Sequence, residues 1–170
     1  MKTIYLARHA KSSWKLSLAD FNRPLNKRGE SDAVNMGEKL KELSWVPEKI
    51  IASPAQRAKQ TCEAYCDSLN YSIANVTWDK SIYEARTVAL LQILSNIDEG
   101  VQIAMLIGHN PAMENLLIHL CGVSSASKHQ QYDGKLMTTG NVAKITINTL
   151  WKDIVMGEAQ LDKLLRPKEI

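Results

Sequence analysis

An arginine and a histidine stand side by side in "YLARHAKSSW" (residues 5–14), at the end of a short apolar run. Arg8 carries a permanent charge, and His9 is the side chain whose charge moves most easily near neutrality. Such a pair at the end of an apolar segment is costly unless an anion satisfies it. A second arginine, Arg57, lies in "SPAQRAKQT", and a second histidine, His109, follows a glycine in "IGHNPAMENL". Arginines can fork onto the oxygens of a tetrahedral oxyanion, and a histidine can add a further donor. A neutral imidazole is also a good nucleophile towards phosphorus, and a phosphohistidine intermediate divides one difficult step into two. His9 is then the attacking group, with Arg8, Arg57 and His109 around the phosphoryl group and Asn110 beside them. Neighbouring positive charge keeps His9 unprotonated. Transition-state charge falls on fixed donors, so the set calls for no metal and no cofactor.

A leaving group needs a proton, and two carboxylates are candidates to supply it. Glu84 follows Ile82-Tyr83 and precedes a helical pattern; Asp20 lies in "LADFNRPLNKRG", the loop after Arg8-His9. Glu84 is the preferred donor, Asp20 the second choice. Each residue also has an ordinary use. His109 after a glycine suits a helix cap, Arg57 a solvated helix face, and either carboxylate a loop or capping role. The conjunction is more specific than any member. His119, inside an apolar helical pattern, reads as a packed or half-exposed residue, and His129, in a polar loop, as at most a rim contact.

What must position these residues is an alternation of strands and helices. Strand patterns cover 2–7, 49–53, 75–79, 101–108 and 141–148; helical patterns cover 26–43, 54–69, 85–97 and 110–122. Ser53 with Pro54, and Asn110 with Pro111, read as helix starts, and Gly122 as a stop. Residues 123–140 read as a polar loop. The tail mixes a possible edge strand with a short terminal helix over 158–165. Such alternation predicts an α/β fold: a three-layer sandwich with a mostly parallel central sheet and helices on both faces, in one domain spanning 1–170. Ligands of these sheets bind outside the carboxyl ends of the strands. Arg8 and His9 end the first strand, Arg57 follows the second, and Gly108, His109 and Asn110 end the central one.

Composition narrows the partners. The net charge of +3, from 21 Lys+Arg against 18 Asp+Glu, is too mild to argue for nucleic acid or a membrane surface. No apolar run reaches the ~18 residues of a membrane span. Charge at Arg8 and Lys11 interrupts the N-terminal apolar segment, so no signal peptide is expected. Three cysteines, Cys62, Cys66 and Cys121, are an odd number that suits a reducing compartment, and the expectation is cytoplasmic. Cys62 and Cys66 share a helix face, but no further His or Cys nearby completes a zinc site.

In order, "ARHA" (7–10), "SPAQRAKQT" (53–61), "YEA" (83–85) and "IGHNPAMENL" (107–116) resemble the motifs of the histidine phosphatase superfamily, the phosphoglycerate mutase-like proteins. "RHAKSSW", "DFNRPLNKRG" and the terminal "RPKEI" are similar to the short SixA-like phosphohistidine phosphatases, a similarity running over nearly the whole chain. The resemblance implies His9 as nucleophile, Arg8, Arg57 and His109 as phosphate pocket, and Glu84 where many members place the acid. The triplet's third residue is Ala10 where the superfamily has glycine, which would strain a position needing an unusual backbone. The stretch between Ser53 and Glu84 leaves little room for a lid over a small sugar phosphate. An open pocket suits a phosphorylated side chain on another protein, such as a histidine phosphotransfer domain. Two other readings stand beside it: a small-molecule or broad phosphomonoester phosphatase of the same mechanism, and a phosphate-binding module without turnover. Loops 11–24 and 123–140 frame the pocket and carry no motif that decides between substrates.

Overall fold

The computed structural model describes residues 1–15, 17–131 and 134–170. Residue 16 of the 11–24 loop and residues 132 and 133 of the 123–140 loop lie outside the described residues. Six strands, β1 (Lys2–Arg8), β2 (Lys49–Ala52), β3 (Thr77–Trp78), β4 (Ile103–Gly108), β5 (Val142–Ile147) and β6 (Gln160–Leu165), form one sheet in the order β3-β2-β4-β1-β5-β6. The β1–β4, β2–β4 and β2–β3 pairs are parallel, whereas β5 is antiparallel to both β1 and β6.

Period-two alternation sends side chains to two cores. On one face, Ile4, Leu6, Ile51, Ala104 and Leu106 pack against α3 (Thr87–Ser95) and α4 (Ala112–Cys121). On the other, Tyr5, Ala7, Ile50, Ala52, Met105 and Ile107 pack against α1 (Lys27–Glu42) and α2 (Gln56–Leu69). The expected three-layer α/β sandwich with helices on both faces is therefore observed. Central strands buried on both faces read as near-continuous apolar runs, which is why β1 and β4 stand out in the sequence. No helix of the described residues is long and apolar enough to cross a membrane.

The tail departs from expectation. Residues 158–165 are not a helix; Gln160–Leu165 is strand β6. Leu161 and Leu164, three apart as on one helix face, both face the same core. A bulge produces that spacing. Ile145 pairs with Leu161 and Lys144 with Lys163, leaving Asp162 as the extra residue. Beyond it the alternation shifts by one, so Leu164 joins Leu161 while Leu165 turns to the opposite core. The polar loop also contains a short helix, α5 (Val123–Ser127), and Val34, counted on the apolar face of the first helix, is exposed.

Two helix starts shift inward. The N-cap of α2 is Ala55, not Ser53, and α4 begins after Pro111 rather than at Asn110. Ser53 and Asn110 instead turn their side chains towards the sheet edge. Cys62 and Cys66 are buried, with sulfurs 4.0 Å apart, and both are free thiols, as is Cys121. Among the described residues no cluster of His, Cys, Asp and Glu could hold a metal ion.

Candidate active site

The register of the central strands assembles the site. Arg8 pairs with Gly108 at the carboxyl ends of β1 and β4. One residue further, the His9 amide donates to the Gly108 carbonyl at 3.0 Å, and the Ser53 amide beside it donates to Ile107 at 3.0 Å. His9 and His109 thus sit next to each other, ring centroids 5.0 Å apart. A Cβ at Gly108 would lie 2.5 Å from Met113 Cε and 2.7 Å from Ile82 Cγ2, so both side chains would have to shift. Ala10 is fully buried and its amide donates to Thr61 Oγ1 at 3.0 Å. It is not among the positive-φ residues Ser44, Asn70 and Glu84, so alanine carries no left-handed strain where the superfamily has glycine.

The contacts of His9 determine its tautomer. Nδ1 lies 2.7 Å from the Ala10 carbonyl oxygen, which can only accept, so Nδ1 bears the proton. Nε2 then carries a lone pair and receives Arg57 Nε–H at 3.2 Å. Burial, reinforced by the charges of His109, Arg57 and Arg8, holds the His9 pKa down at about 3, against the pull of the Ala10 hydrogen bond. Neighbouring charge, the cause expected from sequence, contributes, but desolvation is larger.

His109 is held through Nε2, 2.8 Å from Ser53 Oγ, and its Nδ1 is buried with no partner. Burial and then Arg57 lower its pKa to about 4. Arg57 is clamped by Asp20. Its Nη1 donates to the Asp20 carbonyl at 2.7 Å and its Nη2 to Asp20 Oδ2 at 3.0 Å. Tyr83 O–H also donates to Oδ2, at 2.7 Å, and Arg23 Nε donates to Oδ1 at 2.9 Å. The Tyr83 hydrogen bond, followed by Arg57 and Arg23, drops the Asp20 pKa to about 2, which makes it a poor proton donor near neutrality. Arg8 donates Nη1 to the Met137 carbonyl at 2.8 Å, and its buried Nε has no partner among the described residues.

A cavity of about 480 Å³ opens over this edge, lined by Asp20, Arg57, Tyr83, Glu84, His109 and Asn110. Glu84 stands exposed on its wall. Asn110 lines it too, but its amide N–H donates to the Met137 carbonyl at 2.9 Å, and the Oδ1 left over is an acceptor, unsuited to an anion. Of the residues singled out from sequence, His9 is in contact with both Arg57 and His109, and Arg8 is within electrostatic reach of them. His119 is half-buried on α4 and His129 half-buried after α5, both outside the site. The Ser53–His109 bond and the Asp20–Tyr83 clamp on Arg57 were not foreseen. "YEA" marked Tyr83's neighbourhood, but nothing local connects residues 20, 57 and 83.

This edge, with buried donors and a lone pair facing them, is accompanied by matching relatives. Residues 4–86 match the model of the histidine phosphatase superfamily, branch 1. The fold superimposes on a candidate phosphohistidine phosphatase SixA from Agrobacterium tumefaciens with a TM-score of 0.81 and 27% identity, covering 98% of each chain. Over residues 4–86 the chain is similar to the histidine phosphatase superfamily, and in fold it is SixA-like. An uncharacterized chloroplast protein of Arabidopsis thaliana is 35% identical over 132 residues, 72% of this chain; the match spans only 61% of that relative's length. An uncharacterized protein of Mycobacterium tuberculosis is 27% identical over 157 residues, covering 91% of this chain and 95% of the relative. A structure of the protein histidine phosphatase SixA complexed with tungstate shares the fold, with a TM-score of 0.81 and 22% identity over 98% of each chain.

Proposed function

We propose that this protein is a phosphatase that removes the phosphoryl group from a phosphohistidine on another protein, through a covalent phosphohistidine at His9. The observation that carries the proposal is the lone pair of His9 Nε2, held by the Nδ1–H bond to Ala10 and kept unprotonated by burial. In the first step Nε2 attacks phosphorus, the bond from phosphorus to the substrate nitrogen breaks, and that imidazole departs with a proton. In the second, water attacks phosphorus, the bond to Nε2 breaks, and inorganic phosphate leaves. Arg57 and Arg8 take the equatorial oxygens. A Ser53 hydroxyl donating to His109 Nε2 leaves Nδ1–H as the further donor an oxyanion requires.

The leaving group favours this substrate class. Glu84 is exposed and Asp20 is held ionised, so strong general-acid help is lacking. An imidazole leaving group needs little, because its distal nitrogen can be protonated by solvent before the bond breaks. Between β2 and α3 the chain has α2, two short 3-10 turns and a two-residue strand, leaving the cavity without a cap from this segment. An uncapped site admits a side chain presented on a protein surface. Three buried free thiols suit work in the cytoplasm.

Phosphate release measured on a histidine-phosphorylated phosphotransfer protein, beside a panel of sugar phosphates and nucleotides, tests the proposal. The phosphoprotein is expected to be preferred in kcat/KM. Faster turnover of the small esters makes the chain a small-molecule phosphatase; saturable phosphate binding without release makes it a binding module.

A further inference from the structure

Arg8 also borders a second cavity, of about 270 Å³, on the side of the sheet edge away from Arg57. Four separated segments wall it, and they bring Arg8, Lys11, Arg28, Lys135, Arg166 and Lys168 to one place. No carboxylate lines it among the described residues. That is six of the chain's 21 lysines and arginines in one hollow of a protein whose net charge is only +3. Among the described residues, Glu169 lies 3.5 Å from Arg166 and Asp32 3.4 Å from Arg28, both outside the lining.

The hollow is firmly built. Arg166 is only 9% exposed; its Nη2 donates to the His129 carbonyl and its Nε has no partner among the described residues. Arg8 likewise keeps an unpartnered Nε. The Lys11 carbonyl accepts the Asn26 amide at 2.9 Å, and a Cβ at Gly29 would lie 2.0 Å from that same oxygen. Lys11 is thereby locked against the first turn of α1, where Arg28 stands. Pro167 packs over Gly140, whose amide donates to the Arg8 and His9 carbonyls at 3.2 and 3.0 Å. Gly140 thus ties the Arg8–His9 backbone to Pro167, which lines the hollow. Unpartnered buried guanidinium N–H groups are costly until an oxyanion meets them.

The chemistry of the surroundings indicates what carries that oxyanion. Through Lys11 and Arg28 the hollow runs into a groove that adds Trp14, Lys15, Leu25 and Lys27, with Glu30 as its one carboxylate among the described residues. Trp14 is 75% exposed, with the Arg23 guanidinium 3.5 Å from its ring centroid. A free phosphate would use the hollow alone. A tryptophan exposed among cations is the anchor of a protein contact. We propose that hollow and groove dock an acidic segment of the protein substrate, with one of its carboxylates against Arg166. This deepens the assignment of a phosphoprotein substrate and rests on it.

Two histidine-phosphorylated peptides test the proposal, one flanked by Asp and Glu, the other by Asn and Gln. Wild-type protein is expected to favour the acidic peptide by about tenfold in kcat/KM and to lose the preference near 0.5 M NaCl. Arg28 and Lys168 are exposed, so the Arg28→Glu, Lys168→Glu double variant should keep its fold and cut the preference to about twofold or less. Equal rates for the two peptides in wild type, or an undiminished preference in the variant, overturns the site. Fluorescence anisotropy with the unphosphorylated acidic peptide gives an arm independent of turnover. Binding weakened in the variant upholds docking even if neither peptide loses phosphate, an outcome that would sink the phosphohistidine assignment alone. Equal displacement by an oligoribonucleotide of the same charge, or by a small bisphosphate, overturns the assignment to a protein segment.

Discussion

Arg57 Nε donates to His9 Nε2 across 3.2 Å, so the residue that would hold the phosphoryl group sits on the lone pair that would attack it. The distance is at the long end for such a bond, and an entering phosphorus displaces it at little cost. Meanwhile Asp20 keeps the far side of the guanidinium in place.

Replacing His9 by alanine removes the nucleophile and leaves the strand pairing through its backbone amide. Turnover is expected to fall by about 10⁴-fold or more, with the circular dichroism spectrum unchanged. Wild-type protein quenched during turnover should carry an acid-labile phosphoryl group that the variant lacks. A variant with a tenth of the wild-type rate refutes the assignment.

Asp20→Asn breaks the charged clamp on Arg57, and Tyr83→Phe removes one hydrogen bond to it. The first is expected to lower kcat about tenfold and the second about threefold or less, since Tyr83→Phe leaves the Asp20–Arg57 ion pair itself in place. Steady-state rates check the order; a larger loss from Tyr83→Phe would place Tyr83 on the substrate rather than behind Arg57.

The two histidines make stability depend on pH with a definite sign. Their folded pKa values, about 3 and about 4, lie below the ordinary value of 6.5. The unfolded chain therefore binds more protons as pH falls below that value, and stability is lost progressively from there towards the folded values. Above it the contribution is complete. Urea melts between pH 7 and 4 should show this slope, and it should flatten in His9→Asn. Imidazole NMR shifts should report both rings neutral at pH 5.5.

Glu84→Gln separates leaving groups. Its effect is expected to be about twofold or less on phosphohistidine and nitrophenyl phosphate, and about tenfold or more on alkyl phosphates, whose alkoxide needs a proton. A uniform loss across the series would make Glu84 a binding residue instead.

Gly108→Ala is expected to cost about 1–3 kcal/mol by overpacking Met113 and Ile82. It should also displace His109. Thermal melts and kcat together check it, since a merely packed position would lose stability without losing rate.

The strand ends named in the sequence are where the structure places them, because doubly buried strands announce themselves as apolar runs and parallel topology puts their carboxyl ends on one edge. Residues 8, 9, 57 and 109 were legible for that reason. β6 was hidden because a bulge at Asp162 counterfeits helical spacing. The partners of Arg57 were hidden because Asp20 and Tyr83 belong to irregular segments whose meeting only tertiary packing decides. Ser53 and Asn110 looked like caps because their residue types favour caps; that preference is local, and the sheet edge outbid it.

β5 runs against its neighbours. Its entry, through residues 134–141, therefore arrives at the same edge as the exits of β1 and β4, and β6, reversing again, delivers residues 166–168 there as well. The nucleophile and the arginine fork hang from one half of the sheet, while these two stretches hang from the other. Recognition can accordingly be rewritten by grafting residues 166–168 from a relative, away from Met137, whose carbonyl holds Arg8.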